Sequence, residues 1–298
     1  QNIKVIIGPT DSEFFKELDN FGDLIFISLS NINSQQRKNI IMMGINLESQ
    51  LIAIKKLIKK EKKKKTVILY PKNEFSKHVE ENIKSANFTN TKLFSYSSDP
   101  KILTKQIEKL TNYKQRKINL ESRIKILENS ELPKDKRELD QLKQRYTLGN
   151  VNFDSVVIID FDDGLKSVLT SLAYTDVSDK DVLIISSNQW FDNSILSETS
   201  IKSFYFPSVN LKNFESFNKK FYKAYEYFPN EISIISYDIT GFIYYLWKNN
   251  NKIKTAVDFN LKEEIKGKIG NFKISENKVI QKLEIYKLEE NTFIKNKL

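Results

Sequence analysis

The sequence predicts an α/β protein of two lobes, each built on a parallel sheet flanked by helices. Short apolar runs rich in Ile, Val and Leu alternate with amphipathic helical segments from Ile3 to Ser187. The alternation recurs roughly every 20 to 30 residues, the spacing of β-α-β units in a doubly wound sheet. At 298 residues and 40% hydrophobic composition the chain is large enough for two cores.

The opening stretch, IKVIIGPTDSEFFKELDNFGDLIFISLSN, is the first such unit. Ile3, Val5, Ile6 and Ile7 make an apolar run closed by Gly8-Pro9. Phe14, Phe15 and Leu18 follow at helical spacing, and Leu24 to Ile27 form a second run closed by Ser28 and Ser30. Next, NIIMMGINLESQLIAIKKLIKK passes from an extended run to helical periodicity on Leu51, Ile54 and Ile58. TVILY, TKLFSY, FDSVVIIDF and DVLIISS read as further strands. NEFSKHVEENIKSAN, SDPKILTKQIEKL and GLKSVLTSLAY read as the helices between them. Two more helical segments surround Tyr222 and Tyr237, and the chain closes in an apparent hairpin from Asn271 onward.

One segment breaks the rhythm. From Leu103 to Tyr146 helix formers dominate around Pro133, with Leu103, Leu110, Tyr113, Leu120, Ile124 and Leu127 on 3/4 spacing. Leu139, Leu142 and Tyr146 continue that spacing beyond the proline. This predicts an antiparallel helical hairpin with an apolar seam, leaving Lys105, Lys109, Arg116, Arg123 and Lys143 on outward faces.

Composition narrows the chemistry. Cys is absent and His78 is the only histidine, so a thiol nucleophile, a Cys/His zinc site and a Ser-His-Asp triad lack their parts. Within its helical segment His78 reads as a surface residue. The net charge of +10 is carried almost wholly by Lys, whereas base and phosphate readout favours the Arg fork. Nucleic acid is therefore not an expected partner. The run KKEKKKK from Lys59 reads as a solvated helix end, where cations complement the macrodipole. No apolar stretch reaches the roughly 20 residues of a membrane span.

The order of VIIGPTDSEFF, FISLSN, VNFDSVVIIDF and ISYDITGFIYYLW resembles type I periplasmic binding proteins, the leucine-binding-protein-like group. The resemblance is strongest to the branch of penicillin-binding protein activators. That branch is matched by the charged helical insertion, Trp190, Phe206-Pro207, Tyr237-Asp238 and Gly270-Asn271-Phe272. It implies further strands before Ile3, interlobe crossings near Ile40–Ile45 and Phe204–Pro207, and no cofactor, metal or catalytic residue. It divides the chain into lobe one (1–45 and 204–270, incomplete at its start), lobe two (46–203, with the insertion at 103–147) and a C-terminal hairpin (271–298).

The resemblance also locates a candidate cleft at the carboxyl ends of the strands. Ser28, Ser30 and Asn31 would meet a ligand carboxylate there. Asp160, Phe161, Asp162, Asn188 and Trp190 would line the opposite wall. The acid expected to pair a ligand ammonium after the LIIS-type strand is replaced around Asn188, while the acids at Asp160, Asp162 and Asp163 read first as caps of the following helix. The expected function is a non-catalytic, periplasmic regulator of a peptidoglycan synthase, with lipoprotein attachment to the outer membrane. The alternative is a solute receptor that delivers an amino acid, amide or other small polar ligand to ABC transporter membrane subunits.

Overall fold

The opening runs form β1 (Val5–Ile7), β2 (Ile25–Ser28) and β3 (Ile40–Met42), paired in parallel. Strand alternation sends Ile25, Ile27 and Ile41 into the main core. It sends Phe26, Ile40 and Met42 to the other face, where Phe15 of a 3-10 helix, Ser12–Asn20, covers them. β1 is the edge strand, and Ile3 and Ile7 are exposed beside it. The computed structural model describes residues 3–32, 37–197, 203–250 and 253–297.

Asn46 caps α1 (Leu47–Lys60), accepting the Ser49 N–H at 2.8 Å, and Leu51, Ile54 and Ile58 face inward as their spacing requires. Lys59 and Lys60 occupy its last turn, so the lysine run begins as a helix end. The chain continues through β4 (Thr66–Pro71), α2 (Ser76–Ser85), β5 (Thr91–Tyr96) and α3 (Pro100–Leu110). His78 on α2 is half-buried rather than a plain surface residue, and burial pulls its pKa down.

The helical insertion differs from the sequence expectation at its start. Leu103, Ile107 and Leu110 of α3 belong to the main core. Asn112 then turns the chain with a left-handed backbone, φ 51°, and α4 (Tyr113–Glu128) and α5 (Pro133–Leu142) form the separate hairpin. Its seam of Leu120, Leu127 and Leu142 is a core of its own. No Gly or Pro marks the break at Asn112, which is why periodicity ran α3 into α4.

β6 (Ser155–Ile158), α6 (Asp162–Tyr174), β7 (Leu183–Ser186) and β8 (Ser203–Ser208) extend the second sheet in parallel. Beyond it, α7 (Leu211–Tyr225) and α8 (Glu231–Asn250) precede β9 (Ile265–Lys266). Asp238 on α8 is buried and accepts the Lys268 and Ile269 N–H groups at 2.6 and 2.8 Å, fixing the loop before β10 (Asn271–Ser275). Phe242 packs on Phe272, but Tyr244, Tyr245 and Trp247 are exposed, so core packing does not explain all the aromatics of that helix.

The C-terminal segment is two hairpins on two sheets. β10 pairs with β11 (Lys278–Gln281) across Glu276-Asn277, and β12 (Glu284–Glu289) pairs with β13 (Thr292–Asn296) across Glu290-Asn291. All four turn residues have φ between 48° and 59°, the left-handed pair that suits the twist of a two-residue hairpin loop. The first sheet runs β1-β2-β3-β11-β10-β9 and the second β13-β12-β8-β7-β6-β4-β5.

The chain therefore passes between sheets three times: from β3 into α1, after β8, and at Lys282–Leu283. β8, with Phe204–Pro207, lies within the second sheet, so the second crossing follows it. The third was not expected from the sequence.

Candidate functional site

The three crossings are laced together by buried and half-buried side chains. The Asn46 amide donates to Val279 O at 2.6 Å, and Ser49 Oγ accepts the Gln281 N–H at 2.9 Å. The Asn210 amide donates to Glu284 Oε1 at 3.1 Å. Polar groups sequestered this way hold their partners strongly because water cannot replace them.

The turn after β2 lies against the first crossing. The Ser28 hydroxyl donates to Pro9 O at 2.9 Å and accepts the Ser30 N–H at 3.1 Å, so its proton is already committed. Ser30 is buried, and its Oγ accepts the Ile32 N–H at 3.1 Å. A Cβ on Gly44 would fall 2.2 Å from the Ser30 carbonyl oxygen. Only glycine lets the crossing run so close to this turn. Asn31 is exposed.

On the opposite wall the half-buried Asp160 carboxylate is held by two donors. It accepts the Tyr96 hydroxyl on one oxygen and the Phe161 N–H, at 2.9 Å, on the other. Gly164 makes room for it, since a Cβ there would meet Asp160 Oδ2 at 2.2 Å. Burial raises the Asp160 pKa, and burial together with the nearby carboxylate raises that of Tyr96. The Asp160 carbonyl accepts Ser187 Oγ at 2.8 Å and Gln189 Nε2 at 3.1 Å, tying the ends of β6 and β7 together. Asp160 is thus a bracing group. α6 opens at Asp162 with Phe161 as its N-cap and no side-chain cap bond. Asp162 and Asp163 instead occupy the first turn, where the helix dipole favours negative charge.

Asn188 is engaged as well. Its N–H donates to Gln50 Oε1 of α1 at 2.8 Å, and its side-chain oxygen accepts the Trp190 N–H at 3.1 Å. Trp190 packs at 6.2 Å from Phe214 of α7. Phe191 sits beneath it among Phe206, Tyr286 and Phe293. Phe161 and Asp162 are exposed.

Both walls meet the first crossing, the Ser28–Asn31 turn through Gly44 and the Asn188 loop through Gln50. Among the described residues no hydrogen bond joins one wall directly to the other. The groups left open toward solvent are Asn31, the Phe161 ring and the Asp162 carboxylate. Sequence reasoning missed Gln50, Gly44, Gly164 and Tyr96. The two glycines carried a signal, one after an apolar run and one beside an acid cluster, but only coordinates show what they admit. Among the described residues no group of His, Cys, Asp and Glu is arranged to hold a metal, and no helix is long and apolar enough to cross a membrane.

No protein-family model and no curated protein sequence matches the chain. Solved structures do. An ABC transporter substrate-binding protein from Desulfitobacterium hafniense superposes with a TM-score of 0.62 at 13% identity, covering 98% of this chain and 80% of its own. The fold is that of a type I periplasmic binding protein. Full-length LpoA from Haemophilus influenzae shares this fold with a TM-score of 0.61 at 11% identity over 99% of the chain. Its C-domain alone, described as a regulator of PBP1A, gives 0.55 at 11% identity, with 99% of this chain and 82% of that domain covered. The chain spans 48% of the full-length LpoA chain, about half its length.

Proposed function

We propose that this chain is a non-catalytic, periplasmic domain that regulates a peptidoglycan synthase through protein contact. The observation that carries the reading is the α4–α5 hairpin, which closes its own apolar seam and still presents Ile118, Ile126, Leu132 and Tyr146 to solvent. Apolar side chains beyond those needed by the seam suit a partner surface. The likeness to the LpoA C-domain supports the class of partner.

The polar residues expected to face a partner are largely used inside the protein. Arg116 is buried, donating to Gly149 O at 2.9 Å, Thr175 O at 3.0 Å and Asp176 O at 3.1 Å. Arg123 forks onto Glu138 at 2.9 and 3.0 Å, and Lys143 pairs with Glu128 at 3.3 Å. Docking on this arm is therefore apolar at its centre.

The test is capture of a class A peptidoglycan synthase from envelope extract by the wild-type chain and by Ile118→Asp/Ile126→Asp. Both positions are exposed, so the fold should persist. Loss of the synthase in the double variant supports the reading; undiminished capture rejects it.

The solute-receptor reading draws on Asn31, Phe161 and Asp162, which remain open at the cleft. Because Asn188 stands where an ammonium-pairing acid is expected and Asp160 is held by two donors, leucine, isoleucine and valine should bind no tighter than about millimolar, weaker than about −4 kcal/mol. Micromolar binding by calorimetry, abolished in Asp162→Asn, would establish the receptor instead.

A further inference from the structure

The amino ends of β4, β5 and β6 lie at the far end of the second sheet from Asp160 and Asn188. A pocket of about 510 Å³ opens there, a size suited to a small organic ligand. Its charged lining is Lys65, Lys92 and Lys109, supplemented by the amides of Asn90, Asn112 and Asn152. Among the described residues no Asp or Glu lines it. A neighbouring pocket of about 720 Å³ shares Lys65 but balances Arg116 and Arg145 with Asp154, Asp176 and Asp181. The basic pocket therefore stands out by its lack of counter-charge.

None of its three lysines forms an ion pair among the described residues. Lys92 is exposed, with Nζ 6.0 Å from the centre of the Phe94 ring. Asp154, beside the lining residue Phe153, is held by backbone, its two oxygens accepting the N–H groups of Lys64 and Lys65 at 2.8 and 2.9 Å. Three like charges around one depression repel one another, and a multiply charged anion among them would turn that repulsion into attraction. The pocket's apolar lining is half-buried Phe88 with the edges of Val67, Leu110 and Phe153.

We infer that this pocket binds a small organic phosphate, with the dianionic head among Lys65, Lys92 and Lys109 and an apolar, ring-sized body against Phe88, Leu110 and Phe153. A phosphomonoester offers three acceptor oxygens to three ammonium groups, which a single carboxylate does not. The apolar lining distinguishes the site from a simple counter-ion trap, because it rewards a ligand that also buries apolar surface. The site is lined by neither Ile118 nor Ile126 of the arm, so it stands whether or not a synthase binds there.

Calorimetry on the whole chain with phenyl phosphate and inorganic phosphate tests the assignment. Phenyl phosphate should bind saturably with a Kd below about 1 mM, and inorganic phosphate at least about tenfold more weakly. Lys92→Gln and Lys109→Gln should each weaken phenyl phosphate by about three- to tenfold. Both side chains are exposed, so the core is untouched. Lys219→Gln, on α7, should leave the affinity unchanged. The assignment is overturned by no saturable binding up to about 10 mM, by equal affinity for inorganic phosphate, or by unchanged affinity in both pocket variants.

Discussion

Asp160 shows how a residue that looks like a ligand acid becomes part of the scaffold. Its half-buried carboxylate is held by Tyr96 and the Phe161 N–H, and desolvation raises its pKa. A raised folded-state pKa means that the native protein holds this proton more tightly than the unfolded chain. The associated stability is present below the unfolded pKa and is lost as pH rises through the folded value. Asp160→Asn keeps the shape, and its amide can donate to the Tyr96 oxygen while its carbonyl accepts the Phe161 N–H. The variant should be as stable as wild type or more stable at pH 7, with the advantage shrinking toward pH 4; thermal melts across that range measure it. A loss of about 2 kcal/mol at pH 7 would show that the ionised carboxylate is itself required. The sequence placed an acid cluster at this strand end correctly, but the choice between cap, ligand partner and brace depended on Tyr96, which lies 64 residues away in the chain.

At the scale of elements, Arg116 ties the α4–α5 hairpin to the chain that follows α6. Its guanidinium reaches the carbonyls of Thr175 and Asp176 after α6 and of exposed Gly149, and Arg116→Ala would leave the buried Thr175 carbonyl and Thr147 hydroxyl without this donor. The expected loss is about 3 kcal/mol, and Arg116→Lys should recover little of it because one ammonium cannot reproduce the planar fork. Chemical denaturation measures both. Leu127→Ala acts on the seam instead. It should cost about 2 kcal/mol locally, seen as faster amide exchange confined to α4 and α5, with β6 and β7 still protected. Spread of that loss into the second sheet would mean that the hairpin is part of the main core. Heptad-like spacing made the hairpin legible in the sequence. Its true root was not, because Asn112 ends α3 through a backbone conformation that carries no Gly or Pro signature.

For the whole molecule, one buried cluster includes Ile27 and Ile41 from the first sheet, Leu51 and Ile54 from α1, and Val157 and Ile185 from the second sheet. The crossings add Asn46, Ser49 and Asn210 as bridges between β11, β12 and the helices. Two lobes sharing one core and these buried bridges should melt together. Differential scanning calorimetry should therefore give a single transition whose calorimetric and van't Hoff enthalpies agree. Two resolved transitions would show that the lobes fold independently. The sequence by itself determined which segments are strands and helices, because apolar periodicity and turn chemistry act within a few residues. Only the tertiary structure decided that β10–β11 and β12–β13 belong to different sheets, that Arg116 and Asp160 are internal struts, and that three uncompensated lysines share a pocket. Each of those facts depends on contacts between residues far apart in the chain, and burial and hydrogen bonding at such contacts set a side chain's role.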